Sequence, residues 1–210
     1  FQAWDQIPYD QVSPSKQTQI ERLETLNSLI NNQSKKIILT TVNSIVQKVI
    51  PNEIIKQNSL SLIVNQKIIF NDIISSLTVL GFQRTSVVRE KSEFSVRGSI
   101  IDIFPTDRDL PIRLDFFDDK IESIYKFDPL TQKRISQIND RIEFKISNEL
   151  LLNDETINLF RKNFREIFPK FRNSQIYNLF SDKSFPTGGE QFIPLFYNNL
   201  ETLFDYISNY

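Results

Sequence analysis

The chain has 210 residues, of which 40% are hydrophobic and 24% charged, a composition typical of a soluble protein with one or two globular domains. It contains no cysteine and no histidine, which excludes disulfides, thiolate zinc sites, cysteine nucleophiles and Ser-His-Asp triads. The net charge of -1 gives no broad attraction for nucleic acid, and no apolar run reaches transmembrane length.

Residues 1–57 predict the first part of an α/β domain. Ser13 and Pro14 have the N-cap and N1 chemistry of a helix start. An apolar stripe at helical spacing follows them, formed by Ile20, Leu23, Leu26 and Ile30. The apolar run 36–42 predicts a buried strand, and a short helix after it ends before Pro51. Alternating strands and helices of this kind favour a parallel sheet.

Residues 58–145 predict an α+β domain. A strand at 60–64 precedes a helix at 72–80 that Gly81 closes. Further strands are predicted at 82–88, 94–97, 100–104, 112–117, 121–127 and 141–146. Several strands with one helix predict a mostly antiparallel sheet that the helix covers on one face, so the other face is either covered by a neighbour or exposed for binding.

Residues 146–210 predict the second part of the α/β domain. An amphipathic helix is expected at 154–168, with Ile157, Phe160, Phe164, Ile167 and Phe168 facing inward. A shorter helix at 174–180, an irregular aromatic-rich passage at 185–196 and a helix at 200–206 follow. The predicted fold class is therefore α/β with an inserted α+β domain: an incomplete parallel-sheet domain flanks a mostly antiparallel sheet domain with one covering helix.

Side-chain alternation gives the predicted sheet an unusual outer surface. In the strand 112–117, Arg113, Asp115 and Phe117 share the face opposite the core, and Arg97 points outward from a neighbouring strand. An aromatic side chain among arginines on an open sheet face has the composition of a protein-interface hot spot. From the pattern alone, burial of Phe117 under a neighbouring segment of the same chain is the preferred alternative.

Other kinds of site are weakly supported. None of the four glycines lies in a Gly-x-x-x-x-Gly-Lys-Ser/Thr arrangement, so no phosphate loop of that type can form. The pair Gly188 and Gly189 is typical of a turn more than of an anion nest. Acidic residues near 115–122 lack the spacing of a calcium loop, so no metal site and no catalytic residue is predicted. Trp4 and Tyr9 could stack on a base, but an aromatic anchor over the first helix is the commoner use.

The central strands resemble the second domain of the excinuclease subunit UvrB and, more closely, the UvrB-like module of the transcription-repair coupling factors. Three motifs carry this resemblance: VRGSIIDIFP (96–105), IRLDFFDDKIESI (112–124) and FDPLTQ (127–132). Two motifs nearer the ends look like that family's as well: WDQIPYDQVSP (4–14), and GEQF with PLF (189–196). Two positions depart from the pattern, since Asp118 stands where glycine is frequent and Lys120 where an acidic residue is usual.

The resemblance implies a non-catalytic adaptor that binds UvrA, the damage-sensing subunit of nucleotide excision repair. The family's UvrA contacts fall on Arg97, Arg113 and Phe117, with Asp115 and Lys120 expected at the rim. No cofactor is expected for this part of the protein. Alternatives are a DNA-binding module without catalytic activity, or a piece of a UvrB-like helicase.

The resemblance also implies a longer parent protein in the bacterial cytoplasm. The chain contains no methionine, which favours a segment cut from something longer. Motor domains that use ATP and Mg²⁺, and contacts with RNA polymerase and duplex DNA, would lie beyond the end of this chain. Another domain of such a parent could mask the UvrA-binding face. No association with a membrane is expected.

Overall fold

The computed structural model describes residues 1–7, 10–31 and 35–207, so Tyr9 lies outside the described residues. The chain divides into two compact units, one formed by residues 1–56 and 149–210 and the other by residues 57–148. The mixed α/β class is confirmed, with a six-stranded sheet, a two-stranded sheet and surrounding helices. In the described part of the chain, no helix is long and apolar enough to span a membrane.

The unit 57–148 contains the sheets. Its elements are β1 (Ser59–Leu62), α4 (Phe70–Val79), β2 (Gln83–Arg84), β3 (Glu93–Arg97), β4 (Ile100–Ile103), β5 (Ile112–Phe117), β6 (Lys120–Phe127), β7 (Arg134–Gln137) and β8 (Ile142–Lys145). Strands β2 to β7 form one sheet in chain order, antiparallel except for the parallel pair β2–β3, and β1 pairs with β8 separately.

Alternation fixes the core face of the large sheet. Ile101, Leu114 and Ile124 pair across β4, β5 and β6, and all three are fully buried. The single helix of this unit, α4, packs on the same face, where the rings of Phe70 and Phe116 meet edge to face with centroids 5.0 Å apart. Gly81 ends the helix segment with a φ of +87°, a conformation that suits glycine. The predicted covering helix and core face are therefore confirmed.

Two strand predictions in this unit need correction. The strand predicted at 82–88 is reduced to β2, because the chain then leaves the sheet and buries Val88 in a cluster with Phe104 and Phe127. Strand β7 was not predicted. All four of its residues are exposed, so the edge strand lacks the apolar alternation that reveals a strand in the sequence.

The other unit is mainly helical. Its elements are α1 (Lys16–Asn31), α2 (Val42–Val46), α3 (Asn52–Gln57), which ends at the boundary, α5 (Asp154–Ile167), a 3₁₀ turn (Phe171–Asn173), α6 (Gln175–Ser181), a 3₁₀ helix (Gly189–Leu195) and α7 (Leu203–Ile207). Helix α1 begins later than predicted, since the Ser15 hydroxyl accepts the Thr18 amide at 3.2 Å. The Ser13 hydroxyl accepts the Gly188 amide instead, at 2.9 Å.

The strand predicted at 36–42 is wrong. The segment is irregular, and Ile37 and Leu39 are 91% and 80% exposed. A strand needs a partner to satisfy its backbone groups, and among the described residues of this unit the β pairing is limited to one bridge between Val49 and Glu201. The apolar residues of this segment are therefore not buried as their composition predicted.

Aromatic packing forms the core around α5. The Phe160 ring stacks on Phe196 at 4.5 Å and meets Phe180 at 5.0 Å, while Phe164 is also buried. The inward positions predicted at Ile167 and Phe168 are wrong, because these side chains are 58% and 42% exposed where α5 runs past its core.

The glycine pair before the 3₁₀ helix forms a turn. Gly188 has a φ of +76°, and its amide donates a hydrogen bond to the Ser13 hydroxyl. The Gly189 amide donates to the Pro186 carbonyl at 2.9 Å. Because both amides are satisfied internally, an anion nest is not formed here. The neighbouring Glu190 is buried, and burial raises the pKa of its carboxyl.

Candidate partner-binding face

The outer face is the face of the six-stranded sheet opposite α4, and its centre is one buried carboxylate. Asp102 on β4 lies directly across from Arg113 on β5. The Arg113 Nε donates to Asp102 Oδ1 at 2.7 Å and its Nη2 to Oδ2 at 2.9 Å, a bidentate pair. The Arg97 Nη2 reaches the same Oδ2 at 2.7 Å. Two of the three predicted contact residues therefore share one carboxylate.

Arg113 is covered although it points outward from the sheet. It is 8% exposed, its Nη1 donates to the Gln132 carbonyl at 3.1 Å, and its guanidinium lies 4.4 Å from the Phe127 ring centroid. The hydrogen bonds with Asp102 raise the pKa of Arg113 above its ordinary value, so its charge persists at every accessible pH. Most of its hydrogen-bonding capacity is thus used inside the domain.

The cover over Arg113 is a braced loop, residues 128–132. The Asp128 carboxylate accepts the Thr131 amide at 2.6 Å and the Leu130 amide at 3.0 Å. The Gln132 side chain donates to the carbonyls of Val88 and Pro129, at 3.1 and 2.8 Å. These bonds fix the loop over one end of the outer face, which we call the covered end.

Arg97 lies at the margin of this cover. Its side chain is 43% exposed and still pairs with the fully buried Asp102. A half-exposed guanidinium held in place by a buried carboxylate can present its remaining N–H groups to an acidic partner. Arg97 is therefore available for contact where Arg113 largely is not.

Phe117 lies at the other end of the outer face, which we call the open end. It is 67% exposed, so the alternative that a segment of this chain buries it is wrong. Phe117 and Lys120 pair at the end of the β5–β6 hairpin, whose turn contains Asp118 with a φ of +50°. A positive φ of this kind is the backbone conformation that glycine adopts at least cost.

The hairpin that carries Phe117 is held firmly. The Asn65 amide donates to the Ile121 carbonyl at 2.8 Å, and the Ile68 amide to the Asp119 carbonyl at 2.8 Å. A bulge between Asp115 and Phe116 adds a local bend in the strand. A large aromatic side chain on a rigid, exposed hairpin loses little conformational freedom on binding, which suits an interface anchor.

The two predicted rim residues differ in availability. Asp115 is 13% exposed and accepts from Arg134 Nη2 at 2.5 Å and Ser123 Oγ at 3.0 Å, so its charge is largely used within the sheet. Lys120 is exposed beside Phe117. Within the described ranges, no group of acidic side chains is placed to hold a metal ion.

Three residues of this face were not among the contact residues predicted from the sequence. Asp102, Gln132 and Arg134 each bind a predicted residue, but their partners lie on other strands or loops. Asp102 and Gln132 do occur inside two of the family-like motifs, DIFP and FDPLTQ. Strand register would have been needed to recognise their pairing.

Comparisons with known proteins support the resemblance. Residues 60–145 match the family model of the UvrB interaction domain. The chain is 34% identical to the transcription-repair-coupling factor of Haemophilus influenzae over 99% of this chain and 18% of the relative. It is 32% identical to that of Escherichia coli over 97% of this chain and 18% of the relative, and 32% identical to that of Rickettsia bellii over 100% and 19%.

The chain therefore spans about a fifth of the length of the curated relatives that it matches. The resemblance that the motifs indicated is confirmed by both the domain match and these relatives. Residues 60–145 are thus similar to the UvrB interaction domain family, and along nearly its whole length the chain is homologous to part of the transcription-repair-coupling factors.

Proposed function

We propose that this chain is an adaptor module of a bacterial transcription-repair coupling factor, and that it binds UvrA to recruit nucleotide excision repair to stalled transcription. The observation that carries this proposal is the rigid display of Phe117 at the open end, in a domain of the UvrB interaction family. An exposed aromatic anchor beside a half-exposed arginine is the arrangement expected of an interface hot spot with a charged rim.

The contact residues take different roles in this proposal. Phe117 supplies the apolar anchor, Arg97 pairs with a carboxylate of UvrA, and Lys120 adds a charge at the rim. Arg113 contributes mainly by position, because it holds Asp102 and the covering loop in place for Arg97. Asp115 is a weaker rim candidate, since Arg134 already pairs with it.

The proposal extends to the domain organisation and to the longer protein. Residues 1–57 and 146–210 would form one domain that resembles domains 1a and 1b of UvrB, with the UvrA-binding domain at 58–145 inserted between them. In the parent, separate motor domains would use ATP and Mg²⁺ for translocation on duplex DNA and contact RNA polymerase in the cytoplasm. Another domain of the parent would mask the outer face until repair is needed.

The test is an isothermal titration of the 210-residue chain against UvrA with the variant Phe117→Ala. Loss of an aromatic anchor that becomes buried in the complex should weaken binding by about 2 kcal/mol or more, roughly thirtyfold in Kd. The matched control is Ile135→Ala, which removes an apolar side chain of similar exposure (55%) from edge strand β7.

The control variant should bind UvrA like the unaltered chain. Equal affinity of the Phe117→Ala variant, with its circular dichroism unchanged, would exclude the open end as the contact. Absence of UvrA binding by the unaltered chain, together with steeply salt-dependent binding to duplex DNA, would favour the alternative of a DNA-binding module. Binding of ATP by the chain would favour the helicase alternative.

A further inference from the structure

An open apolar cleft lies in the mainly helical unit, well separated in the chain from the outer face of the sheet. It has a volume of about 590 Å³, within the range of ligand-binding clefts, and lies between the end of α5, the 3₁₀ turn and the 3₁₀ helix. Its apolar walls are formed mainly by Phe164, Ile167, Phe168, Phe171, Phe192 and Leu195.

The cleft exists because the apolar stripe of α5 is longer than the core beneath it. Phe160 and Phe164 are buried, but the same stripe continues to Ile167 and Phe168, which are 58% and 42% exposed. Adjacent exposed side chains of this size form a continuous apolar wall, whereas isolated exposed apolar residues are ordinary. A ligand in the cleft would complete the burial that the helix pattern predicts.

The rim of the cleft is basic. Lys170 lines it, and the guanidinium groups of Arg165 and Arg172 lie 5.4 and 5.8 Å from the Phe171 ring centroid. The lining residues include no carboxylate; the acidic side chain nearest in sequence is Glu166, on α5. Three cations around an apolar wall favour a partner with negative charges beside its apolar groups.

Two polar side chains of the lining, Ser174 and Gln191, are engaged within the unit. The Ser174 hydroxyl caps α6 by accepting the Tyr177 amide at 3.3 Å. The Gln191 side chain donates to the carbonyls of Asp10 and Gly188, at 3.0 and 2.9 Å. Small-molecule sites usually orient their ligand with a few convergent polar groups. A row of apolar contacts with a charged rim is instead typical of a groove that binds an amphipathic helix.

We propose that this cleft binds an amphipathic helical peptide segment, with large apolar side chains on one face and carboxylates beside them. The apolar face would cover Ile167, Phe168 and Phe171, and the carboxylates would pair with Lys170 and Arg172. None of the residues of this cleft lies in the unit 57–148, which carries the proposed UvrA contact.

The probe is a fluorescein-labelled synthetic peptide of about 18 residues, long enough to form a helix. It carries leucine and phenylalanine at i, i+3, i+4 and i+7 spacing and glutamate at most other positions, and fluorescence anisotropy reports its binding to the 210-residue chain. A second peptide has lysine in place of every glutamate. We expect the acidic peptide to bind at least about tenfold more tightly than the basic one.

Two variants locate the site, and one serves as a matched control. Phe168→Asp and Lys170→Glu should each weaken binding of the acidic peptide by about tenfold, because the first disrupts the apolar wall and the second reverses one charge of the rim. Phe204→Asp alters an exposed aromatic residue (57%) on α7 of the same unit, outside the cleft, and should leave binding unchanged.

Circular dichroism checks that each variant is folded. Equal binding of both peptides, or insensitivity to the two cleft variants, would overturn the proposal, as would failure of the acidic peptide to bind. Self-association that Phe168→Asp abolishes would assign the cleft to a second copy of the chain. Binding of the anionic dye anilinonaphthalene sulfonate in the cleft without peptide binding would assign it to small anions. Both results would contradict the peptide site.

Discussion

At one end of the outer face, Arg113 and Asp102 are buried beneath the loop 128–132, and at the other end Phe117 is 67% exposed. Both ends are built by the same strand, β5, and by the same alternation of side chains. The difference indicates that the covered end holds the sheet together while the open end offers surface for binding. Arg97 lies at the margin and belongs to both, since it pairs with Asp102 and is half exposed.

The covered end is expected to dominate stability because its charges are removed from water. A buried ion pair is weak evidence of net stabilisation, yet removing one partner leaves the other buried and uncompensated. Phe117, at the open end, is not a member of a buried ion pair. An exposed aromatic side chain contributes little to folding, whereas it can contribute strongly to association.

The largest predicted effect is on the covered end. Asp102→Asn should lower the free energy of unfolding by about 3 kcal/mol or more, because it leaves the Arg113 guanidinium without a charged partner. Urea denaturation followed by circular dichroism measures this change. The matched control is Asp115→Asn on the neighbouring strand of the same face. Its partner Arg134 is 48% exposed, so the expected loss is below about 1 kcal/mol.

Equal losses for these two variants would contradict the distinction between a covered and an exposed ion pair. A small loss for both would indicate that water reaches Arg113 more readily than its exposure suggests. The Phe117→Ala variant should change the free energy of unfolding by no more than about 0.5 kcal/mol, which keeps its expected effect on UvrA binding separate from folding.

A smaller effect is predicted at the margin. Arg97→Ala should weaken UvrA binding by about 0.5–1 kcal/mol, less than Phe117→Ala, because its charge is partly solvated and already paired with Asp102. The loss should shrink as salt is raised, since screening weakens exposed charge pairs. Titrations at two ionic strengths measure this, with Arg84→Ala on exposed strand β2 as the control.

A loss at Arg97 that does not depend on salt would indicate a structural role through Asp102, and not a contact with UvrA. A loss at Arg84 of the same size would indicate general electrostatic attraction. In either case the assignment of Arg97 to the interface would be wrong, while the assignment of Phe117 would still be tested separately.

The smallest predicted effect concerns pH and the covering loop. Hydrogen bonds from the amide and hydroxyl of Thr131 lower the pKa of Asp128. The folded state therefore binds this proton less readily than the unfolded chain, so the stabilisation is present above the ordinary carboxyl pKa and is lost as the pH falls below about 4. Nuclear magnetic resonance titration of the Asp128 carboxyl carbon measures its pKa directly.

The expected midpoint lies below that of an unperturbed aspartate, and Thr131→Val should raise it partway by removing the hydroxyl donor. A midpoint at or above the ordinary value would contradict the braced loop. The cover over Arg113 would then be looser than the contacts of Asp128 indicate.

The strands of the large sheet could be predicted because their pattern is local. Ile112, Leu114 and Phe116 alternate with polar neighbours, and each is buried on the core face. The edge strand β7 escaped prediction because all its residues are exposed and give no apolar period, and β2 is much shorter than the strand predicted at 82–88. The apolar composition of residues 36–42 predicted a buried strand. Such a strand requires a partner strand, which the local sequence does not reveal.

The amino-acid sequence by itself determined which residues face outward from β5, where the hairpin turns and which family the central motifs resemble. Only the tertiary structure decided that Arg113 is covered and Phe117 exposed. The cover depends on contacts between residues far apart in the chain, such as the hydrogen bond from Gln132 to the Val88 carbonyl. A period of two residues specifies a side of the sheet, but the loops that pack on that side determine what solvent or a partner can reach.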